Sequence, residues 1–325
     1  MRVLVTGGQG FVGAWILKIL HARGDEAIVF DLHDNARRLE VLYPIGQTPQ
    51  FVFQSGDVTK LDDILKAIDG HDIDHVIHLA GLQVPTCRQN PHLGMSVNVG
   101  GTLNVLEAAR LRRDRVKRVV YASSAAVFSP AEAYPTGPLA DDVPLNPGTH
   151  YGWFKICNEG NALVYHREHG VESVGLRPWT VYGVGRDVGM TSEPTRGLKC
   201  LALNRPHLIN YGGWQDMQFV EDVAQAFVAC LLGDYKGPKS YNLRGAVVDM
   251  QQFLDAVAEV EPASRRLLSF KGGQLPIAWD LSDKGIQTDY GPIPVISLVE
   301  GIRKTLNAFR SLEAEGRLDK NDLGA

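Results

Sequence analysis

The stretch VLVTGGQGFVGAWILKILHARG, residues 3–24, joins an apolar strand to an amphipathic helix through a glycine-rich turn. Val3 and Val5 belong to a short strand, and apolar residues recur at helical spacing after the turn. The turn has the pattern G-x-x-G-x-x-G, formed by Gly7, Gly10 and Gly13. Glycines at this spacing let the backbone bend tightly, bring N–H groups against a pyrophosphate and allow close packing of helix on strand. The stretch therefore predicts a dinucleotide-binding turn.

An acidic residue, Asp31, ends the next apolar strand, EAIVFDL, residues 26–32. A carboxylate at this point accepts hydrogen bonds from the adenosine ribose hydroxyls and repels a 2′-phosphate. The sequence therefore predicts NAD rather than NADP as the cofactor. Two alternatives stay open: Asp31 could cap a turn or a helix, and Arg37 and Arg38 could serve a phosphate.

Strands and helices alternate through the first half of the chain. Further strands are predicted within residues 51–55, 75–81, 118–124 and 172–178, with helices near 59–69, 92–113 and 149–169. Buried strands that alternate with helices indicate an α/β fold with a parallel, doubly wound sheet of the Rossmann type.

The pattern changes after Pro178. TVYGVGRDVGMTSEPT, residues 180–195, predicts a long functional loop because it is rich in Gly, Thr and Pro. We expect a smaller C-terminal substrate lobe that interleaves with the Rossmann domain. The predicted division gives 1–180 with 218–245 to the NAD-binding domain, 181–217 with 246–315 to the lobe, and 316–325 to a polar tail.

Composition and charge narrow the class of protein. The 325 residues are 44% hydrophobic and 22% charged, with a net charge of −4, which argues against nucleic acid as a partner. The four cysteines show no CxxC spacing and no metal-ligand pattern, so we predict no metal site and free thiols in a reducing compartment. We find no leader and no uncharged apolar run of about 18 residues, so we expect no membrane partner and a cytoplasmic location.

A tyrosine and a lysine are four residues apart in THYGWFKICNE, residues 149–159. On a helix, residues i and i+4 are neighbours, so the Tyr151 hydroxyl and the Lys155 ammonium can converge. An ammonium close to a phenol lowers the phenol pKa from about 10 and makes it a better proton donor and acceptor. Taken alone, the spacing also fits a packed tyrosine and a solvated lysine.

Several motifs in order resemble the extended short-chain dehydrogenase/reductase family, which includes sugar epimerases and dehydratases. TGGQGFVG resembles the family's cofactor turn, HLAG its ribose-side segment, YASSAAVF its serine strand and LRPWTVYG its nicotinamide-side segment. The likeness covers roughly residues 1–250. It implies NAD contacts at Gly7, Gly10, Phe11, Val12, Gly13, Asp31, Asp57, Val58, Leu79, Ala80, Gly81, Asn98, Ser123, Tyr151, Lys155, Pro178, Thr180 and Val181.

The resemblance also implies catalytic roles. Tyr151 would be the general acid and base, Lys155 would lower its pKa and bind the nicotinamide ribose, and Ser124 would hydrogen-bond the reacting oxygen. Such a set suits a hydride that leaves a carbinol carbon. Ala125 and Ala126 stand where dehydratases of the family carry an acidic pair, and alanine cannot transfer a proton. We therefore expect epimerisation through a ketone, with net dehydrogenation as the alternative.

The predicted substrate side departs from the family as well. Nucleotide-sugar members commonly carry an arginine that binds the diphosphate before the V-x-D turn, whereas GGWQDMQFVEDV has Gln215 there. We therefore expect a sugar-like substrate without a nucleoside diphosphate. The missing charge could come from another basic residue: Arg186, Arg244, Arg265 or Arg266. The candidate contacts to substrate are Gln83, Ser124, Thr191, Ser192 and Trp214.

Two expectations concern the protein as a whole. In proteins that this sequence resembles, the helices near 92–113 and 149–169 pair across a two-fold axis, so we expect a homodimer. A non-catalytic NAD(H)-binding regulator is the alternative from another class of protein. Such regulators tend to lose the tyrosine or the lysine, and this chain has both.

Overall fold

The computed structural model describes residues 1–323, which form a mixed α/β fold. Its strands are β1 (Arg2–Thr6), β2 (Glu26–Asp31), β3 (Val52–Ser55), β4 (His75–His78), β5 (Arg118–Ala122), β6 (Ser173–Arg177), β7 (Thr180–Tyr182), β8 (His207–Ile209), β9 (Trp214–Phe219), β10 (Ser240–Asn242), β11 (Ala246–Asp249) and β12 (Leu268–Phe270). Seven of them form a parallel sheet in the order β10-β6-β5-β4-β1-β2-β3. The predicted doubly wound parallel sheet is confirmed.

The α-helices are α1 (Phe11–Ala22), α2 (Arg37–Glu40), α3 (Leu61–Gly70), α4 (Val84–Gln89), α5 (Pro91–Met95), α6 (Gly101–Leu111), α7 (His150–His169), α8 (Glu193–Ala202), α9 (Val220–Leu232), α10 (Met250–Val260), α11 (Ser264–Leu267), α12 (Lys284–Tyr290) and α13 (Leu298–Ala314). A π-helical turn, Ser96–Gly100, connects α5 to α6. Among residues 1–323, no helix combines the length and the apolar character needed to cross a membrane.

The sheet is covered on both faces because its strands are apolar on both sides. In β1, Val3 and Val5 join the hydrophobic cluster that contains α1 and α9, while Leu4 joins the cluster that contains α3 and α6. Alternate residues of a strand point to opposite faces, so this single strand connects the two layers. The direction of winding reverses at β1, with β2 on one side and β4 on the other. In sheets of this kind, ligands bind at the carboxyl ends of the strands beside such a reversal.

Three strands form a second, smaller sheet that the sequence did not predict. Its order is β11-β9-β7, so the predicted loop 180–195 begins with a strand. The sequence does not indicate β9 as a strand because three of its buried residues are polar: Gln215, Asp216 and Gln218. Hydrogen bonds satisfy much of this polarity: Asp216 accepts from the Gln218 amide at 2.8 Å and from Gly245 N at 2.8 Å. Because hydrogen-bonded polar residues take the buried positions of β9, its sequence lacks the apolar–polar alternation by which a strand is predicted.

Two later segments return to the Rossmann part. β10 pairs with β6 at the edge of the large sheet, and α9 packs on α1. The polar segment 316–323 lies against the protein, where Asp322 pairs with Lys199 at 2.7 Å and Asp319 with Arg37 at 2.6 Å. The last two residues of the predicted tail, 324 and 325, lie outside the described residues. The division into an NAD-binding domain and a lobe stays a prediction.

Candidate active site

A cavity of about 300 Å³ lies where the central strands end. One side, which we call the sheet wall, consists of the glycine turn after β1, the segment after β5 and the start of α7. The opposite side, the loop wall, consists of Trp179, Val181, Arg186, Met190 and Thr191. Fifteen of the predicted site residues line the cavity: Gly7, Gly10, Phe11, Val12, Gly13, Leu79, Gly81, Gln83, Ser123, Ser124, Tyr151, Lys155, Pro178, Val181 and Thr191.

A larger cavity, of about 550 Å³, lies elsewhere, against α2, α8 and α13. Its lining includes Arg37, Lys199 and Arg317 and none of the predicted site residues. Size alone therefore does not locate the chemistry. The smaller cavity is the candidate active site because the predicted proton-transfer groups meet there.

The glycine turn fits the backbone of a dinucleotide. A Cβ on Gly7 would lie 2.8 Å from the backbone N of Ala80, and a Cβ on Gly13 would lie 2.5 Å from the Gly7 carbonyl oxygen. Gly7 also has a positive φ of 67°. These positions exclude side chains, so the start of α1 lies close to the end of β4. The free N–H groups of the first helical turn suit a pyrophosphate.

Asp31 ends β2, the strand next to the glycine turn. Burial raises the pKa of its carboxyl, while hydrogen bonds from the backbone of Leu32 and Gln9 act in the opposite direction. The competing phosphate role of Arg37 and Arg38 finds no support, because both guanidinium groups pair with Asp187, at 2.7 and 2.8 Å.

Five predicted cofactor residues do not line the cavity besides Asp31: Asp57, Val58, Ala80, Asn98 and Thr180. Asn98 is buried and holds the loop after β4 from below, since its side-chain amide accepts from Leu82 N at 2.7 Å and donates to Leu82 O at 2.9 Å. Thr180 is fully buried and donates to Gln215 at 3.1 Å. These two side chains act through the scaffold here rather than from the cavity surface.

The first turn of α7 brings Tyr151 and Lys155 to the sheet wall. Thr149 caps the helix by accepting from Gly152 N at 3.1 Å. A Cβ on Gly152 would lie 2.3 Å from the Ala126 carbonyl oxygen, so α7 packs directly on the turn that follows Ser124. The Lys155 ammonium donates to the Ala122 carbonyl oxygen at 2.6 Å and lies 5.5 Å from the centroid of the Tyr151 ring.

The pKa of Tyr151 is shifted by groups other than the lysine that the sequence indicates. Burial raises the pKa of Tyr151, and a hydrogen bond with Ser124 and the charge of Arg186 lower it. Burial is the largest of these effects, so the net change in the pKa of Tyr151 is upward. Burial lowers the pKa of Lys155 to about 8, and its ammonium bonds to the Ala122 carbonyl oxygen. The sequence missed Arg186 as the cation that influences Tyr151.

The neighbouring serine, Ser123, is engaged below the cavity. Its hydroxyl donates to Glu159 at 2.5 Å, and Glu159 pairs with the buried Arg177 at 2.7 Å. Ser124, by contrast, is the serine whose side chain hydrogen-bonds to Tyr151. Ala125 and Ala126 line the cavity without any titratable group, in keeping with the expectation against dehydration.

The predicted substrate residues divide into two groups. Gln83, Ser124 and Thr191 line the cavity, whereas Ser192 and Trp214 do not. Ser192 is buried and donates to the Gly189 carbonyl oxygen at 2.8 Å, and Trp214 stacks on Trp279 with ring centroids 4.9 Å apart. Neither side chain lines the cavity, and direct substrate contact by these two residues stays a prediction.

The parallel sheet and the glycine turn at the cavity are those of a dinucleotide-binding fold. The chain matches the NAD dependent epimerase/dehydratase family over residues 3–243, and it belongs to that family. It is an NAD-dependent epimerase or dehydrogenase of the extended short-chain dehydrogenase/reductase type, with NAD as its cofactor.

Relatives in the comparisons are similar over most of their length. The UDP-glucose 4-epimerase of Azospirillum brasilense is 30% identical over 96% of this chain and 93% of its own. The CDP-paratose 2-epimerase of Salmonella typhi is 27% identical over 78% of this chain and 82% of its own. The crystal structure of the UDP-glucose 4-epimerase of Thermus thermophilus in complex with NAD has a TM-score of 0.79 and 29% identity, covering 95% of this chain and 99% of that one.

Proposed function

We propose that the protein is an epimerase that inverts a secondary alcohol carbon of a sugar or sugar derivative through a keto intermediate. The observation that carries this proposal is the meeting of Tyr151, Ser124 and Lys155 with the glycine turn around one cavity. When bound, NAD accepts a hydride from a carbinol carbon and can return it. Net dehydrogenation of a sugar or sugar acid is the alternative, since it requires the same residues.

Each residue of the sheet wall has a separate task in this proposal. Tyr151 takes the hydroxyl proton of the substrate as oxidation begins and gives it back at the end. The Ser124 hydroxyl donates to the substrate oxygen as negative charge develops there. Lys155, which lies beneath the Tyr151 ring, holds positive charge beside the phenolate and is placed to bind the nicotinamide ribose.

We also propose that the substrate carries no nucleoside diphosphate. Gln215, at the position of the family's diphosphate arginine, is fully buried and bonded to Thr180, so it does not reach the cavity. Among the four other candidate cations, Arg244 is paired with Asp280 at 2.7 Å and Arg265 with Asp255 at 3.4 Å. Arg266 is exposed, and Arg186 alone of the four lines the cavity. The names of the relatives, several of which are nucleotide-sugar epimerases, argue in the other direction. A substrate panel is therefore the decisive test.

The panel should contain free sugars, sugar acids and glycosides beside UDP-, GDP- and dTDP-sugars. NADH absorbance reports net oxidation, and NMR reports inverted stereocentres without net absorbance change. We expect nucleotide sugars to be poorer by one to two orders of magnitude in kcat/KM, the cost of about one charge-assisted bond. A nucleotide sugar with the highest kcat/KM would contradict this part of the proposal.

The nucleotide released on denaturation distinguishes the two reactions. An epimerase regenerates its cofactor in each turnover, so tightly held NAD at about one per chain would favour it. A dehydrogenase must exchange NAD for NADH, so a site that purifies empty would favour net oxidation.

We further propose that the protein is a homodimer. Large apolar side chains are exposed along α5 and α7, among them Leu93, Met95, Trp153 and Val164. Large exposed apolar side chains on two helices that contact each other suit an interface between two copies of the chain. Trp153→Glu should convert the dimer to monomer in sedimentation, and a wild-type protein that is monomeric at micromolar concentration would count against the proposal.

A further inference from the structure

One side chain of the loop wall carries a charge that the proposed reaction does not use. Arg186 lines the same cavity as Tyr151 and Lys155, and it lies in the loop that follows β7. It has no carboxylate partner within the described residues, and its buried Nε atom has no hydrogen-bond partner among them. A guanidinium is charged at every working pH, so this group is an uncompensated cation.

The adjacent carboxylate, Asp187, does not neutralise Arg186. It turns away from the cavity and pairs with Arg37 at 2.7 Å and with Arg38 at 2.8 Å. Two cations thus compete for this carboxylate on the far side of the loop. The nearest negative charge in sequence is fully engaged.

The structure holds the Arg186 guanidinium in place. Its Nη2 donates to Thr191 at 3.1 Å, and the group lies 5.7 Å from the centroid of the Phe11 ring. Gly189 allows the loop to fold back over it, because a Cβ there would lie 3.0 Å from Arg186 Nη2 and 2.1 Å from Gln83 Oε1. Gln83, Thr191 and Arg186 therefore converge on one side of the cavity.

A buried cation without a partner is costly, and a bound anion removes that cost. Burial lowers the pKa of Arg186 from its usual value, because removal from water disfavours the charged form. The planar fork of a guanidinium matches a carboxylate or a phosphate with two parallel hydrogen bonds. Nη2 already donates to Thr191, and the Nε atom is buried without a partner, so the guanidinium has hydrogen-bonding capacity that the protein does not use.

We propose that Arg186 is the anion-binding residue of the substrate subsite, so that the substrate carries a carboxylate or a phosphate close to the carbon on which Tyr151 acts. This inference rests on the proposed function and narrows it to anionic sugars such as sugar acids or sugar phosphates. Gln83 and Thr191 complete the subsite as neutral hydrogen-bonding groups. The charge of Arg186 also stabilises the phenolate that Tyr151 becomes when it gives up its proton.

The test compares matched pairs of ligands on the NAD-loaded protein. Glucose is titrated against glucuronate and glucose 6-phosphate by calorimetry, and the same pairs enter the turnover panel. Wild type should bind one anionic member about 10- to 100-fold more tightly than the neutral one, as expected for a charge-assisted pair. Arg186→Gln should abolish this preference, and Arg186→Lys should restore part of it.

Controls separate this inference from the proposed function. Arg113→Gln removes the same charge from an exposed position after α6 and should change nothing. Equal binding of neutral and anionic ligands by wild type, or an unchanged preference in Arg186→Gln, would overturn the inference while turnover through Tyr151 could still stand. A preference that depends on Arg186 with no turnover of any sugar would defeat the proposed function instead.

The cofactor pyrophosphate is the other anion that Arg186 could bind, and the affinity for NAD tests this. If Arg186→Gln weakens NAD binding tenfold or more and leaves sugar discrimination intact, the guanidinium serves the cofactor pyrophosphate and the inference is wrong. The expected result is NAD affinity within about threefold of wild type. Thermal unfolding of both variants verifies that they are folded.

Discussion

The two walls of the cavity are built by different means. On the sheet wall, the side chains lie at the ends of strands or in the first turn of a helix, where regular secondary structure holds them. The cap at Thr149 and the close packing of Gly152 hold Tyr151 in this way. On the loop wall, Arg186 is held by contacts to Thr191, Phe11 and the fold of the loop at Gly189. The sheet wall therefore carries the groups proposed for proton transfer, and the loop wall carries the cation proposed to select the substrate.

The largest expected effect is on the sheet wall. Tyr151→Phe removes one hydroxyl and should lower kcat by about 10² or more, with little change in folding or NAD affinity. Tyr165→Phe is the matched control, because it removes a hydroxyl from the same helix that donates to Glu107 at 3.1 Å, away from the cavity. Activity of Tyr151→Phe within about threefold of wild type would remove its acid–base role and revive the regulator hypothesis.

Lys155→Met tests a second residue of the sheet wall, whose expected effect differs from that of Tyr151→Phe. The lysine is proposed to serve both the tyrosine and the nicotinamide ribose, so this variant should weaken NAD binding as well as turnover. Titration of NAD followed by steady-state kinetics measures the two separately. Unchanged NAD affinity would limit Lys155 to proton transfer.

A smaller effect is expected at the adenosine end of the cofactor site. NAD should bind better than NADP, and Asp31→Ala should narrow that preference by about tenfold, roughly one charge-assisted hydrogen bond. Titration of both cofactors measures the ratio. Tighter binding of NADP by wild type would show that the role assigned to Asp31 is wrong.

A buried histidine of β4, His78, should make the stability of the protein depend on pH. His78 is buried between Thr6 and Thr102, at 2.7 and 3.1 Å, and burial lowers its pKa to about 3. The unfolded chain binds a proton near pH 6.5 while the folded protein does not, so the free energy of unfolding should fall as pH drops below about 6.5. The slope from this group approaches about 1.4 kcal/mol per pH unit.

Denaturant titrations between pH 7 and pH 5 measure that slope. His78→Gln has no titrating ring and should flatten it, whereas the exposed control His92→Gln should leave it as in wild type. Equal slopes in His78→Gln and wild type would show that the buried imidazole does not set the acid sensitivity.

The smallest effect compares two helix caps. Thr149 caps α7 and Ser297 caps α13, by accepting from Gly152 N at 3.1 Å and from Glu300 N at 3.2 Å. Alanine at either position should cost about 1 kcal/mol of stability. Only Thr149→Ala should also lower kcat, because only α7 begins next to Tyr151. Equal activity in both variants would show that the cap does not position the tyrosine.

The accuracy of sequence-based prediction follows the same division between the walls. Some features depend only on residues that are close together in the chain, and the sequence predicts these. They are the glycine turn, the position of Tyr151 on a helix and the alternation of strands with helices. Gln215 and Trp214 lie in a strand whose buried residues are largely polar, so the sequence has no apolar alternation and neither the strand nor the direction of its side chains could be predicted. Arg186 was only one of four candidate cations until the structure showed that the carboxylate beside it is engaged by Arg37 and Arg38.

The most direct test of the central claim is the fate of the hydrogen on the reacting carbon. A substrate identified in the panel is converted in D₂O, and the inverted or oxidised carbon is examined by NMR and mass spectrometry. Hydride chemistry with Tyr151 moving only the hydroxyl proton predicts that an epimerised product keeps the substrate's own hydrogen at that carbon, or that an oxidised product appears with stoichiometric NADH. Solvent deuterium at the inverted carbon would show inversion by deprotonation of carbon and would contradict the account.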